Sequence, residues 1–251
     1  MVFSVKGRIL VTGASSGIGR ATALRLAGEG VPLILAGRDS ARLRETAEAV
    51  QTKGGKALSV LLDVTHEDDW KRVANLIKEG SESLSGLIHC AGENWLSPVN
   101  AVRGEDLNRL MEVNLTAVVQ GTRILLPSLV KGAPSSVVVI SSVAALKGSP
   151  GLGAYGAVKG ALISWARTAA AELAPRKVRV NAIVAGVVQT PMGSLIQRAA
   201  GEKAWSKLVE AHLLGLGRPE DVAGVIAFLC SDDARWITGA AIPVDGGLSC
   251  Y

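Results

Sequence analysis

The chain has 251 residues, 48% of them hydrophobic, with a mean hydropathy of +0.32, a balance that supports a large buried core and excludes a disordered chain. Its 27 basic residues against 22 acidic ones give a net charge of +5. The basic residues are dispersed, and the densest group (Arg176, Lys177, Arg179) is short, so the charge reads as solvated surface and not as a nucleic-acid stripe.

Cys90, Cys230 and Cys250 are odd in number and far apart, which argues against a disulfide framework and fits a reducing compartment. His66, His89 and His212 are equally scattered, so the sequence shows no metal cluster. The opening MVFSVKGRILV sets Lys6 and Arg8 beside a strand-length apolar run, not ahead of a signal-peptide core. No uninterrupted apolar stretch reaches the roughly 18 residues of a membrane span. The expectation is a cytoplasmic protein without a membrane segment.

In chain order, strand-like runs fall at 8–12, 32–36, 57–63, 86–90, 136–141, 178–184 and 240–244, and helical periodicity at 18–29, 40–53, 66–82, 105–131, 153–174, 202–213 and 219–231. Thr65 and Asp68 have capping-box spacing at the third helix. Strands alternating with helices predict right-handed βαβ crossovers and an α/β fold: a doubly wound, Rossmann-like parallel sheet of about seven strands. No linker or composition shift divides the chain, so residues 1–251 read as one domain. In such sheets ligands sit beyond the C-terminal ends of the strands.

The first strand candidate runs into Gly13-Ala-Ser-Ser-Gly17-Ile-Gly19 and then a helix. Glycines at that turn let backbone N–H groups and the positive helix end approach a pyrophosphate. The spacing is G-x-x-x-G-x-G, not G-x-G-x-x-G, so a plain structural turn stays open as an alternative. After the second strand comes Gly37-Arg38-Asp39. An acid there reads a ribose 2′-hydroxyl, an arginine a 2′-phosphate. Asp39 is either that acid or the cap of the following helix. Arg38, with Ser16 as a second donor, predicts NADP(H) over NAD(H).

Ser142 ends the fifth strand run, Tyr155 follows thirteen positions later, and Lys159 lies one helical turn beyond Tyr155. A free phenol titrates near 10; acid–base work near neutrality needs it lowered by about 2–3 units, or about 3–4 kcal/mol. A neighbouring ammonium and the charge of oxidised nicotinamide are the expected sources, with Ser142 donating to the substrate oxygen. Each of the three also has a plain structural reading; together, after a glycine turn, they point to catalysis.

These residues, with Leu62-Asp63-Val64, Ala91-Gly92, Asn114, Thr190, Gly217-Arg-Pro-Glu-Asp-Val222 and Asp245-Gly-Gly247, make the whole chain resemble the short-chain dehydrogenase/reductase superfamily. The resemblance implies hydride exchange between nicotinamide and an alcohol/carbonyl pair. By position it implies Asn114, Ser142, Tyr155 and Lys159 as the catalytic set, with Asn114 holding a relay water. It also implies cofactor contacts at Gly13, Ser15, Ser16, Gly17, Ile18, Gly19, Arg38, Asp63 (to adenine), Val64, Ala91, Gly92, Tyr155, Lys159, Gly186, Val188 and Thr190 (to the carboxamide). Three positions depart from the pattern: Cys90 for an asparagine, Ala185 for a proline, and Val158 for a small polar residue. The first puts a structural hydrogen bond in doubt.

Within the superfamily the chain looks most like the 3-oxoacyl-acyl-carrier-protein reductases, which implies a carbonyl substrate such as a 3-oxoacyl thioester. Trp95, Leu96, Val143, Leu146, Leu152, Val187, Met192, Leu195, Ile196 and Trp205 are expected to roof an apolar pocket. Lys131, Arg176 and Lys177 read first as solvated charge and, through the resemblance, as a landing surface for an acidic carrier protein. The resemblance also implies a homotetramer built on the helices near 105–131 and 153–174, with Trp165, Trp236 and Val244 at interfaces. Sugar, steroid or quinone substrates, and a non-catalytic NADP-binding sensor, are the alternatives.

Overall fold

The computed structural model describes residues 1–3, 7–80 and 82–250; the reading of Lys6 falls outside them. Seven strands, β1 (Arg8–Thr12), β2 (Leu33–Gly37), β3 (Ala57–Leu61), β4 (Leu84–His89), β5 (Ser135–Ser142), β6 (Val178–Ala185) and β7 (Ala241–Val244), form one sheet in the order β3-β2-β1-β4-β5-β6-β7, all parallel. The helices are α1 (Gly17–Ala27), α2 (Ser40–Thr52), α3 (Glu67–Glu79), α4 (Gly104–Met111), α5 (Ala117–Lys131), α6 (Gly153–Leu173), α7 (Pro191–Ala200), α8 (Glu202–Glu210) and α9 (Pro219–Cys230).

Strand side chains alternate between two buried layers. Leu10, Ile34, Val137 and Val180 face α3, α5 and α6, meeting Trp70, Leu125 and Leu162. Ile9, Val11, Leu35 and Ile183 face α1, α2 and α9, meeting Leu26, Leu43 and Ile226. Each fully buried aliphatic side chain contributes about 1.5–3 kcal/mol, which is why the central strands are apolar on both faces. At the β3 edge, Leu58 and Leu61 are exposed.

Each predicted strand is present within two residues at either end. The helices differ in three places. The predicted helix 105–131 is split into α4 and α5 by a π turn over Glu112–Thr116, because the buried Asn114 amide donates to the Leu110 carbonyl and reaches outside the helix to residue 93. Helix α7 arises where the sequence suggested only a loop: Thr190 Oγ1 accepts from Gly193 N at 3.1 Å, with Pro191 in the first turn. The Thr65/Asp68 capping box does not form. His66 takes the cap position without a side-chain bond, Thr65 Oγ1 donates instead to Asp63 Oδ1 at 2.7 Å, and Asp68 pairs with Lys71.

The run Gly104–Lys131 is long and apolar enough to cross a membrane by length and composition; here Val113, Val118, Leu125 and Leu129 are buried against the sheet. Arg179, the last member of the densest basic group, turns its guanidinium to the carbonyls of Leu229 and Ile237.

The His89 imidazole at the end of β4 is 4% exposed, with Nε2 3.0 Å from Thr122 Oγ1. Burial pushes it down to about 3. The unfolded chain therefore binds a proton below about 6.5 that the folded one refuses, so stability is complete above that pH and falls as pH drops towards 3. The loss from this residue is about 2 kcal/mol at pH 5. Denaturant midpoints at pH 7 and pH 5 should differ less for His89→Gln than for the wild type; equal differences would show that His89 does not set the acid sensitivity.

Candidate active site

The site lies where β1 and β4 are neighbours. After β1 the chain crosses to the face covered by α1 and α2; after β4 it crosses to the opposite face. The diverging crossovers leave a crevice at the strand ends. Thr12 Oγ1, buried at the end of β1, accepts from Cys90 N and Ala91 N, both at 3.1 Å, and fixes the two ends together.

A cleft of about 410 Å³ opens there, lined by Gly13, Ser15, Ser16, Gly17, Ile18 and Gly19 of the turn, by Arg38, by Asp63 and Val64, by Ala91 and Gly92, and by Thr190. These are twelve of the predicted cofactor residues. Gly17 at φ +50° shows why the turn is glycine: an added Cβ would stand 3.2 Å from the Thr190 methyl. Val188 instead lines a second cavity beside α7 with Val187 and Trp205. Gly186 is packed against Asp245, 2.7 Å from where its Cβ would be, and lines neither cavity.

Asp39 does cap α2, accepting from Arg42 N at 3.0 Å. Burial would raise the Asp63 carboxyl, but hydrogen bonds from the Thr65 backbone and hydroxyl, and the charge of Arg38, outweigh it and hold it below the usual carboxylate range. Three charged residues in the cleft were missed: Arg42, Glu93 and Arg109. Arg42 was detectable as the first-turn neighbour of Asp39. The Glu93–Arg109 pair joins two elements sixteen residues apart and leaves no local signal in the sequence.

Tyr155 and Lys159 sit one turn apart on α6, with the ammonium 5.6 Å from the phenol ring centre. Ser142, at the end of β5, hydrogen-bonds the phenol, and its Oγ accepts from Ala144 N at 3.2 Å. Lys159 Nζ donates to Ile140 O at 2.9 Å. The expected acidification of Tyr155 is not a property of the protein alone. Burial pushes the phenol up to about 12, opposed only by the Ser142 bond, and pushes Lys159 down to about 8. Both shifts have one cause: a desolvated site penalises any charge.

Asn114 is 1% exposed, and its side chain is held by three hydrogen bonds: Oδ1 accepts from Glu93 N at 3.3 Å, and Nδ2 donates to Glu93 O at 3.0 Å and to Leu110 O at 3.1 Å. Both amide hydrogens are thereby bound within the protein, while Oδ1 keeps a second lone pair. Gly92 links the cleft to Asn114 and Lys159, since a Cβ there would stand 2.8 Å from Asn114 Oδ1 and 3.6 Å from Lys159 Nζ.

The departures from the family pattern have local consequences. The Cys90 thiol stands where the asparagine would, with the Thr22 hydroxyl as its hydrogen-bond neighbour, and desolvation pushes the thiol up to about 12. Val158 is buried in the core. Of the predicted roof, Met192 lines the cleft, while Trp95, Leu96, Leu146 and Leu195 are exposed apolar side chains on the segments after β4, β5 and β6. Among the described residues, no group of three or more His, Cys, Asp or Glu is placed to hold a metal.

This combination of a glycine-cradled cleft at the switch point and a Ser–Tyr–Lys cluster at its edge has close counterparts. A family model described as enoyl-(acyl carrier protein) reductase matches residues 13–249. The chain is 35% identical over 245 residues to the 3-oxoacyl-[acyl-carrier-protein] reductase FabG of Thermotoga maritima, covering 97% of this chain and 98% of that one. A solved short-chain type dehydrogenase/reductase from Mycobacterium ulcerans is similar at a TM-score of 0.92 and 31% identity, covering 100% of this chain and 92% of that one. An NADPH-bound short chain oxidoreductase from Pseudomonas aeruginosa PAO1, containing an atypical catalytic centre, reaches 0.92 at 27% identity, covering 100% of both chains. The chain belongs to the short-chain dehydrogenase/reductase family. Its members are oxidoreductases that act on the CH–OH/carbonyl pair with a nicotinamide cofactor.

Gly92→Ala tests the junction. Three hydrogen bonds prevent Asn114 from yielding to a Cβ at 2.8 Å, so the backbone must shift, at about 1–3 kcal/mol. Dinucleotide affinity, read by nicotinamide fluorescence, should fall at least about tenfold. An unchanged affinity would show that Gly92 does not border the bound cofactor.

Proposed function

We propose that the protein is an NADP(H)-dependent reductase of an apolar carbonyl, with a 3-oxoacyl thioester as the leading substrate class. The observation that carries the reading is the meeting of the Ser142 hydroxyl, the Tyr155 phenol and the Lys159 ammonium beside the cleft floor at Gly92. The similarity to FabG and the exposed apolar residues around the site support the substrate class. Arg38, whose side chain is 62% exposed at the far end of the cleft, supports the 2′-phosphate, as does the NADPH in the Pseudomonas neighbour.

The residues fit a dinucleotide. The Gly13–Gly19 turn and the N-terminus of α1 would hold the pyrophosphate, Asp63 and Val64 the adenine, Arg38 and Ser16 the 2′-phosphate, and Thr190 and Lys159 the nicotinamide end. A nicotinamide held there would supply or take the hydride and, when oxidised, would carry positive charge. Ser142 Oγ donates to the substrate oxygen and sets it against the phenol. In reduction Tyr155 Oη gives that oxygen its proton; in oxidation it takes the proton back. Lys159 supplies positive charge under the phenol and lowers the cost of the phenolate. A homotetramer, with the 95%-exposed Trp236 at a contact, and docking of an acidic carrier protein at Lys131, Arg176 and Lys177 complete the proposal.

The test is NADPH oxidation across acetoacetyl thioesters, quinones, ketosteroids and keto-sugars, with two variants. Tyr155→Phe should lose at least about a thousandfold in kcat with NADPH affinity kept within about threefold. Cofactor binding lost in parallel would overturn the acid role. Arg38→Ala should weaken NADPH at least about tenfold more than NADH; equal losses would remove the 2′-phosphate assignment.

A further inference from the structure

Glu93, which follows Ala91-Gly92 in the cleft wall, is fixed from both ends. Asn114 binds its backbone N–H and its carbonyl. Arg109 of α4 binds its carboxylate bidentately, Nη2 to Oε1 at 2.7 Å and Nε to Oε2 at 3.1 Å. That fork–fork geometry leaves the carboxylate little freedom. Arg38 Nη2 stands 3.8 Å from the same Oε1, within ion-pair range but too far for a hydrogen bond.

The charges at this end of the cleft balance: Arg38, Arg42 and Arg109 against Asp39, Asp63 and Glu93. Asp39 is occupied by the N-terminus and Arg42 of α2, and Asp63 by Thr65. Glu93 is the carboxylate whose ion-pair distance to Arg38 is short enough to matter while its own position is set by a different arginine.

We infer that Glu93 is a specificity-determining residue that works against the 2′-phosphate, competing with it for Arg38 and repelling it directly. A 2′-phosphate carries about −1.5 to −2 charges, so it must displace Arg38 from Glu93 and still sit near a carboxylate that Arg109 holds in place. A 2′-hydroxyl pays neither cost. The protein thus binds NADPH less tightly than Arg38 alone would allow, while NADH is nearly indifferent to Glu93. The inference rests on the assignment of Arg38 to the 2′-phosphate.

The test is the dissociation constant of NADPH and of NADH, by nicotinamide fluorescence without substrate, for wild type, Glu93→Gln, Glu93→Asp and Arg38→Ala. Glu93→Gln should tighten NADPH by about fivefold, most visibly at low salt, with NADH within about twofold. Glu93→Asp keeps the charge and should leave the NADPH/NADH ratio within about twofold of wild type. An unchanged ratio in Glu93→Gln, a parallel change for both cofactors, or an equal ratio shift in Glu93→Asp overturns the inference, the last two outcomes assigning Glu93 a purely structural role. Arg38→Ala separates the failures. If it weakens both cofactors alike, the 2′-phosphate reading falls; if it weakens NADPH selectively while Glu93→Gln leaves the ratio unchanged, only the inference about Glu93 falls.

Discussion

The Thr12 hydroxyl is the contact on which the site is built. It holds two successive backbone N–H groups at the end of β4 against the end of β1, where a doubly wound sheet would otherwise splay as its crossovers part. Two part-buried donors satisfied by one fixed acceptor are costly to lose, since an unpaired N–H costs up to about 1–3 kcal/mol as burial becomes complete. The bond decides where residues 90–93 run. From that path follow the approach of Gly92 to Asn114 and Lys159, the presence of Glu93 in the cleft wall, and the width of the crevice between the glycine turn and the β4 loop. The Ser142, Tyr155 and Lys159 side chains come from β5 and α6, but the cleft beside them is set by β1 and β4.

The fold was legible because its signal is periodic and repeated. Strands buried on both faces are apolar throughout, helices between them are amphipathic, and a parallel sheet follows from that alternation. Tyr155 and Lys159 were legible for a similar reason: four residues apart on a helix means one face. What escaped were interactions that depend on distant or competing partners. Nothing near Asn114 in sequence says that its amide will bind residue 93 and open the helix into a π turn. The same bonds take both amide hydrogens of the residue to which the family resemblance gives a relay water. Thr190-Pro191 carried a helix-start signal, but it lay in a segment read as a pocket roof. The Thr65/Asp68 spacing matched a capping box, yet Thr65 was drawn back to Asp63, whose carboxylate accepts from both the Thr65 hydroxyl and its N–H.

Asn114 and Glu93 together tie the two ends of the cleft. One amide side chain binds both backbone groups of Glu93, while the Glu93 carboxylate reaches Arg109 and Arg38. A shift at the adenosine end therefore meets a stiff link to the residue that borders Lys159 through Gly92. Such a link needs no moving part; it holds the residues at both ends in one rigid arrangement, as a site whose chemistry depends on tenths of an ångström requires.

The protonation of the cluster follows from the same enclosure. With the phenol near 12 and the ammonium near 8, both groups carry their protons at pH 7, and Tyr155 is an acid with nowhere favourable to leave a negative charge. In the proposed reduction, donation to a carbonyl oxygen would become favourable only as that oxygen gained alkoxide character, a far stronger base than the phenolate. An oxidised nicotinamide held in the cleft would supply positive charge to offset the phenolate that burial penalises. On the proposed reading the acidity of Tyr155 would be tied to the redox state of the bound dinucleotide, because a phenolate formed before hydride transfer would be left uncompensated. Burial, which seems to work against the phenol, is what makes the two transfers interdependent.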